Sequence, residues 1–319
     1  MLSADPAITL PVRIPAEWEP MQSVRMIGPH NRASWPGVDW DRLLDDYDAM
    51  AAAIARFVPV DLVDPVAIPT DDSWIRDTGP ISVIDAAGRE AALIGRFDAY
   101  GDQYPHAADA ALACELVARD SLPVVQTRLV IEGGAIESDG RGRLLMTREW
   151  VGNRTASNGP LDSAIYRDFF AATATQPVLL PHGVAGDDTG GHIDDCARVL
   201  PDGRLLVAIE SDPNDGNFAP LQANRAAATE LGDVVELPMP APQVLDGQRL
   251  PASYANYLVA NGGVVVPTFA CRQDDQAMAI LSRVFPNRDI VGVDCRLIVV
   301  GLGAVHCLTQ PRFLAASTY

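Results

Sequence analysis

Apolar residues recur at helical spacing in several segments of the chain. In the segment 41–57, side chains such as Leu44 and Tyr47 return every three or four positions, which predicts an amphipathic helix. Asp39 or Asp41 stands where a capping residue would begin this helix. The same pattern predicts four further helices, at 107–119, 161–172, 222–231 and 274–285.

Short runs rich in valine, isoleucine and leucine lie between these helices and predict strands. The runs are 81–84, 93–97, 124–131, 144–147, 205–209, 264–267, 290–293 and 297–300. Asp202 and Gly203 separate the apolar runs 197–200 and 205–209, which is typical of a β-hairpin. Strands that alternate with helices indicate an α/β protein.

Glycine-rich sequences precede or begin a strand at five places. They are 77–81, 133–136, 190–193, 261–264 and 301–305. Their spacing of roughly 40 to 70 residues is in the range of repeat architectures. Five similar units predict a pseudo-symmetric ring of strands with helices outside, and chance placement among 25 glycines is the alternative. Since no proline- or serine-rich linker divides the chain, we expect a single domain spanning 1–319.

The charge of the chain restricts its partners. Its 319 residues include 24 basic and 42 acidic side chains, a formal net charge of −18 at pH 7. Such a field repels nucleic acids, and no apolar run approaches the ~18 residues of a membrane helix, so neither is an expected partner. All basic residues are arginine, which excludes Schiff-base chemistry on lysine. Residues 1–12 lack the features of a signal peptide, so a cytoplasmic location is expected.

The cysteines and histidines argue against structural bridges and metal centres. Five cysteines, an odd number without a CxxC pair, disfavour a disulfide framework or a zinc ribbon. Five histidines without an HxxxH pair disfavour a metal site. Cys307 differs from the other four cysteines because it follows His306 and the glycine-rich segment 301–305, where the backbone can approach a substrate closely. The other four are interpreted as small core residues.

If the five glycine-rich segments converge on one axis, a short set of reactive side chains meets there. The set is Trp74, Asp77, Glu132, Asp188, His192, Asp194, Asn261, His306 and Cys307. His192 and Asp194 are two positions apart, so on a strand both side chains would face the same side. From spacing alone, a partly exposed strand is an alternative for this pair, and Trp74 with Asp77 fits a solvated acidic loop.

The same segments carry the motifs of a known family. They are PAEWEP (15–20), GPH (28–30), DSWIRDTGP (72–80), IEGG (131–134), DDTGGHIDD (187–195), ASY (252–254), ANGG (260–263) and GAVHCLTQ (303–310). In this order, over nearly the whole chain, they resemble the agmatine deiminase family of the guanidine-modifying (pentein) superfamily. The resemblance implies a five-bladed, pseudo-symmetric α/β propeller and a hydrolase that uses neither a metal nor an organic cofactor.

The resemblance also implies a mechanism, in which a small cationic guanidine is hydrolysed through a covalent thiouronium. By motif position, the nucleophile is Cys307, the general acid and base is His192, and the carboxylates that hold the guanidinium are Asp77 and Asp194. The substrate-binding residues expected beside them are Trp74, Asp188, Glu132 and Asn261. Paired carboxylates suit this task because a guanidinium presents its N–H groups in rigid forks, and its charge favours thiolate over thiol.

Agmatine is the leading expected substrate, with N-carbamoylputrescine and ammonia as products, which would place the enzyme in polyamine biosynthesis leading to putrescine. Arginine, a peptidyl arginine, or transfer of the amidino group to an amine are the alternatives. A non-catalytic binding module is a remote alternative. Such a module would be expected to lack the cysteine or the histidine, and both are present. Ile27 and Gly28 precede Pro29-His30 where the family commonly has tryptophan. Such departures fall where the rest of the substrate, or a neighbouring subunit of a homo-oligomer, would lie.

Overall fold

The computed structural model describes residues 2–315, and strands and helices alternate along most of this part of the chain. The strands are β1 (Ser3–Ala4), β2 (Met21–Ile27), β3 (Val60–Val63), β4 (Ile81–Ile84), β5 (Glu90–Arg96), β6 (Val124–Val130), β7 (Glu137–Ser138), β8 (Arg143–Thr147), β9 (Gln176–Leu180), β10 (Ala197–Val199), β11 (Leu205–Ile209), β12 (Val234–Pro238), β13 (Val244–Leu245), β14 (Gln248–Arg249), β15 (Leu258–Val259), β16 (Gly263–Thr268), β17 (Asp289–Asp294) and β18 (Thr309–Phe313). The helices are α1 (Trp40–Ala55), α2 (Ile75–Thr78), α3 (Ala99–Asp102), α4 (Asp109–Asp120), α5 (Arg148–Asn153), α6 (Thr155–Asn158), α7 (Ala164–Thr173), α8 (Phe218–Thr229) and α9 (Gln273–Val284). None of these helices is long and apolar enough to cross a bilayer.

Five sheets repeat one pattern. In each sheet a first strand pairs antiparallel with a second, and a crossover containing a helix leads to a third strand that runs parallel to the second. The five units are β4–β5–α4–β6, β7–β8–α7–β9, β10–β11–α8–β12, β15–β16–α9–β17 and β18–β2–α1–β3. The prediction of five similar α/β units is therefore confirmed, including the hairpin at Asp202-Gly203, which joins β10 to β11.

The last unit takes its strands from both ends of the described chain. β18 pairs antiparallel with β2, with Thr309 opposite Met26, and β2 pairs parallel with β3. The sequence did not predict β2, β9, β12 or β18 as strands. The run 297–300, predicted as a strand, lies mostly in a 3₁₀ turn at Ile298–Gly301, where left-handed Leu302 ends it.

Helix α1 shows how the hydrophobic pattern is used. Asp39 caps it, since its side chain accepts a hydrogen bond from the Arg42 backbone N–H at 3.3 Å. The helix buries Leu43, Tyr47, Met50 and Ile54 in the largest apolar cluster of the described residues, which also holds the central strand β16. The buried face includes Leu43 and not Leu44, which the sequence pattern assigns to it. Both residues are leucine, and only the spacing of all the buried positions of α1 shows that Leu43 belongs to this face.

Of the four cysteines expected in the core, two are buried, Cys271 is only partly buried against the largest apolar cluster, and Cys114 lies outside the core. Cys196 and Cys295 are fully buried, as core residues should be. Cys114 is exposed, contrary to the expectation, because α4 turns Leu112, Ala113, Leu116 and Val117 to the core and Cys114 away from it.

We predict that Leu43→Ala lowers the free energy of unfolding by about 2–5 kcal/mol, because it removes a fully buried side chain and leaves a cavity. Leu44→Ala makes the same chemical change one position along, on a side chain that is only half-buried. Its expected loss is well below that of Leu43→Ala. Urea denaturation of both variants measures the difference, and equal losses would contradict this assignment of the core face.

Candidate active site

The reactive residues lie in the segments that lead into the first strand of each unit. Asp77 is in α2 before β4, and Glu132 precedes the 3₁₀ turn before β7. His192 and Asp194 lie in the turn before β10, and Cys307 lies two residues before β18. Repetition of the unit therefore brings one such segment from each unit towards a common centre.

A cavity of about 900 Å³ opens above this centre, with Cys307 and Asp77 in its wall. The acidic residues that line it are Asp71, Asp72, Asp77, Asp109, Asp188 and Asp246. Among residues 2–315, no arginine or histidine lines the cavity, and the chain has no lysine. The cavity therefore presents a negative potential to a ligand and suits a cation.

Cys307 is only 7% exposed, yet its side chain reaches the cavity wall. Its Sγ lies 3.9 Å from Asp194 Oδ2 and 3.1 Å from the Nδ2 of Asn256. Burial raises the pKa of the Cys307 thiol well above its ordinary value, and Asp194 and Asp195 add to the rise. Without a bound cation, the thiol is therefore the dominant form at neutral pH.

Asp77 and His192 meet at the face of Gly134. Asp77 accepts hydrogen bonds from the Gly134 backbone N–H at 2.8 Å and from the Tyr100 hydroxyl at 3.1 Å. Its Oδ1 lies 3.9 Å from His192 Nδ1. Burial raises the pKa of Asp77 well above its ordinary value, and the nearby Asp194 carboxylate adds to this rise. Two like charges in a buried site favour a cationic ligand that would be shared between them.

Asp194 is held from below by His306. Nδ1 of His306 is 2.7 Å from Asp194 Oδ2, and its Nε2 is 2.6 Å from Glu17 Oε2. Both ring nitrogens of His306 therefore face carboxylate oxygens, which accept hydrogen bonds. Burial works to raise the pKa of Asp194, but the hydrogen bond and the charge of His306 lower it below its ordinary value. Asp194 therefore stays ionised.

Glu132 lies behind His192 and not in the cavity wall. It accepts hydrogen bonds from Arg154 at 2.7 Å and from the Trp150 indole at 2.7 Å, and its Oε2 is 4.0 Å from His192 Nε2. Burial lowers the pKa of His192 to about 3. His192 is therefore neutral at neutral pH.

The acidic pair before His192 separates into two environments. Asp187 is turned inwards and accepts the backbone N–H groups of Gly191 at 2.9 Å and His192 at 3.1 Å, which fixes the loop. Asp188 lines the cavity and accepts a hydrogen bond from the Tyr104 hydroxyl. Of these two aspartates, only Asp188 is therefore available to a ligand in the cavity.

Trp74 lines the cavity and stacks on Trp35, with ring centroids 5.4 Å apart. A Cβ atom on Gly303 would lie 2.5 Å from the Trp74 ring and 2.9 Å from Cys307 Cβ. The glycine therefore allows the indole to pack beside the nucleophile segment, where it forms a flat wall.

Asn261 is not brought to the cavity. It is exposed, and its side chain exchanges two hydrogen bonds with the Met21 backbone, at 2.7 and 2.9 Å. Asn256, which sequence reasoning missed, contacts Cys307 instead. The equivalence becomes visible only with the strands in place, since Asn256 stands two residues before β15 just as Cys307 stands two residues before β18.

His192 and Asp194 were expected on a strand, but β10 begins only at Ala197. They lie in a turn, in which Ile193 points into the core between them. Within residues 2–315, no group of three or more histidine, cysteine or acidic residues has the geometry to hold a metal ion.

The comparisons with known proteins agree with this geometry. Residues 13–312 match the family model of the Porphyromonas-type peptidyl-arginine deiminase. The chain belongs to this family. It is 32% identical to an agmatine deiminase of Pseudomonas aeruginosa strain LESB58 and 34% identical to one of Stutzerimonas stutzeri, in each case over 94% of this chain and 95% of the relative.

A solved structure of a family relative extends the agreement to the fold. A cysteine-to-serine variant of a C. jejuni agmatine deiminase with substrate bound superposes with a TM-score of 0.86, at 26% identity over 95% of this chain and 97% of that one. The pentein fold expected from the resemblance is therefore confirmed for this family member.

We predict that Gly134→Ala lowers deiminase kcat/KM by about 100-fold or more. The new Cβ would lie 2.6 Å from His192 Nδ1 and 3.0 Å from both Asp77 Oδ1 and Asp194 Oδ2, and a displacement of about 1 Å can have an effect of this size. The backbone of Gly134 is not left-handed, so the substitution should leave the backbone unstrained.

The matched control is Gly152→Ala. No atom lies within 4 Å of its new Cβ, and the residue is exposed in α5. We expect unchanged activity and a stability gain of up to about 1 kcal/mol. Full activity in Gly134→Ala would show that this face does not contact the reacting groups.

Proposed function

We propose that the protein is a deiminase that hydrolyses agmatine to N-carbamoylputrescine and ammonia. The single observation that carries this proposal is the cavity, in which Cys307 and Asp77 share a wall with five further aspartates and, among residues 2–315, with no basic side chain. A guanidinium and a distal ammonium both suit such a wall. Free arginine adds a carboxylate, for which the described cavity residues offer no cationic partner. The two curated agmatine deiminases support the same choice.

Binding would place the guanidinium between Asp77 and Asp194. Asp194 Oδ1 is buried and has no hydrogen-bond partner among the described residues, so it can accept a substrate N–H. Two ionised carboxylates would orient the planar group and bring its central carbon to Cys307 Sγ. The charge of the substrate lowers the cost of forming a thiolate, which offsets the effect of burial on the thiol.

The reaction would then proceed in two stages. In the first, neutral His192 takes up the thiol proton, Sγ bonds to the guanidine carbon, and one C–N bond breaks as His192 protonates the departing ammonia. In the second, His192 accepts a proton from water, whose oxygen adds to the thiouronium carbon. The C–S bond then breaks and its electron pair returns to sulfur, which takes the proton held by His192. The added hydroxyl loses its proton to water as the ureido product is released, which restores Cys307 and His192. Glu132, behind His192, would orient the imidazole.

The finer expectations from the sequence are kept as proposals of the same kind. The net charge of −18 supports an enzyme that acts without nucleic acid. We also propose that the protein forms a single domain, acts in the cytoplasm and assembles into a homo-oligomer. Each of these proposals is independent of the proposed activity.

The decisive experiment joins a substrate panel to a nucleophile variant. Agmatine, arginine, a peptidyl arginine and simple alkylguanidines are assayed for ammonia, and mass spectrometry identifies the ureido product. We predict that Cys307→Ser has no measurable turnover but a normal melting temperature, because the hydroxyl is far harder to ionise than the thiol. Rapid quench of the wild type should show a covalent adduct on the Cys307 peptide.

Cys114→Ser is the matched control, since Cys114 is exposed on α4 and away from the cavity. It should keep wild-type turnover. Robust activity in Cys307→Ser, or an adduct on Cys295, would refute the nucleophile assignment. A clear preference for arginine over agmatine would refute the substrate assignment alone.

We predict that Asp188→Asn raises the KM for agmatine about tenfold to a hundredfold. Asp188 would accept the distal ammonium, and a charge-assisted hydrogen bond of about 1.5–3 kcal/mol corresponds to this factor. The KM for an alkylguanidine without the distal amine should hardly change, and the preference for agmatine over arginine should narrow. Steady-state kinetics with the three substrates measure both effects.

Asp187→Asn is the matched control for this prediction. Because Asp187 fixes the loop that carries His192, its loss should impair all three substrates alike. An unchanged KM for agmatine in Asp188→Asn would mean that this carboxylate serves only its bond with Tyr104.

A further inference from the structure

The side-chain amide of Asn256 touches the reactive sulfur. Its Nδ2 lies 3.1 Å from Cys307 Sγ and 3.0 Å from Asp195 Oδ1. Its Oδ1 accepts the backbone N–H of His306 at 2.9 Å and that of Cys307 at 3.4 Å. The residue is fully buried, and both of its N–H groups and its oxygen are used.

These contacts determine which way the amide faces. The two backbone N–H groups need the oxygen on their side, and the Asp195 carboxylate needs an N–H on the other. A flipped amide would place its oxygen against the Asp195 carboxylate and its N–H groups against the backbone N–H groups of His306 and Cys307. The second N–H therefore points at Sγ, where a thiolate would accept it far more strongly than a thiol does.

The other side chains near the sulfur act against a thiolate. Asp194 Oδ2 lies 3.9 Å from Sγ, and the Asp195 carboxylate lies next to Asn256. The Ala304 backbone N–H favours the ionised sulfur. The two ring nitrogens of His306 face Asp194 and Glu17 and not Sγ. Asn256 thus supplies a side-chain donor at a position surrounded by carboxylates.

We propose that Asn256 is a catalytic residue that stabilises the Cys307 thiolate through its Nδ2–H. It would act twice. When the thiol loses its proton to His192, the N–H receives the charge on sulfur before Sγ bonds to the guanidine carbon. When the C–S bond later breaks, the electron pair returns to sulfur and the same N–H receives it. This inference rests on the proposed role of Cys307 as the nucleophile.

The test is Asn256→Asp, which keeps the oxygen that accepts the His306 and Cys307 N–H groups and removes the donor to sulfur. Alkylation of Cys307 by iodoacetamide is followed against pH by mass spectrometry of its peptide, without substrate. We expect the pH midpoint of alkylation to rise by about one to two units and agmatine kcat/KM to fall about tenfold to a hundredfold, as for loss of a charge-assisted hydrogen bond.

Asn261→Asp is the matched control, because it loses an equivalent N–H, donated to the Met21 carbonyl outside the cavity. It should lower the melting temperature and leave the alkylation profile in place. Asn256→Ala removes the donor without adding a charge and should shift the midpoint in the same direction as Asn256→Asp. This separates the lost N–H from the new carboxylate.

A wild-type alkylation profile in a folded Asn256→Asp or Asn256→Ala protein overturns the proposal. So does a shift in Asn256→Asp that Asn256→Ala lacks, since the added charge would then be its cause. Loss of the fold in both variants would assign the amide to the turn before β15 and overturn it as well. Because alkylation needs no substrate, it tests the amide even if the natural substrate is not agmatine.

Discussion

One buried carboxylate, that of Glu17, connects segments of four of the five units beneath the candidate site. It accepts hydrogen bonds from Arg198 at 2.8 Å, Arg76 at 3.1 Å, His306 at 2.6 Å and the Val259 backbone N–H at 2.8 Å. Burial alone would raise the pKa of Glu17, but Arg198 and His306 hold it well below its ordinary value. Arg198 extends the cluster to the remaining unit through Glu137 at 3.2 Å. The positions of Asp77, Asp194 and Cys307 all depend on this cluster.

A buried cluster of this kind holds the site in one geometry, but burying its charged groups costs free energy. Each charge loses its hydration, and only complete pairing compensates, so removal of one partner would leave an uncompensated charge. This explains the motif at 15–20, for which the sequence offered no role. Glu17 does not line the cavity, yet it contacts His306, and His306 in turn keeps Asp194 ionised.

Much of the architecture could be predicted, because each unit repeats a local pattern. The five crossover helices and most second strands follow from hydrophobic spacing, and the hairpin at Asp202-Gly203 follows from turn chemistry. The strands that were missed include β9 and β12, which are only partly buried and carry polar or proline residues. β18 (Thr309–Phe313) was missed because threonine, glutamine, proline and arginine give it no apolar run, and pairing with β2 alone makes it a strand.

The candidate site was harder to predict where the repeat lacks glycine. In four units a glycine-rich segment precedes the first strand, but in the fourth unit Gly262 lies between β15 and β16 and Gly263 begins β16. Alignment on glycine therefore selected Asn261, five residues beyond the segment equivalent to that of Cys307. The segment itself, 252–256, makes its turn with the Ser253 side chain, which accepts the Ala255 backbone N–H. Only the pairing of β15 with β16 shows the true register.

The pairing of β18 with β2 also has a kinetic side. Thr309 and Met26 lie almost a whole chain length apart in the sequence. Forming this contact closes a very large loop, so it costs more conformational entropy than the pairing of strands that are close in sequence. Cys307 stands two residues before that strand, so its backbone bond with the Arg76 N–H, at 3.2 Å, and its place beside Asp77 depend on closing this loop. A partly folded chain would therefore have no activity. The return of activity during refolding would report the pairing of β18 with β2.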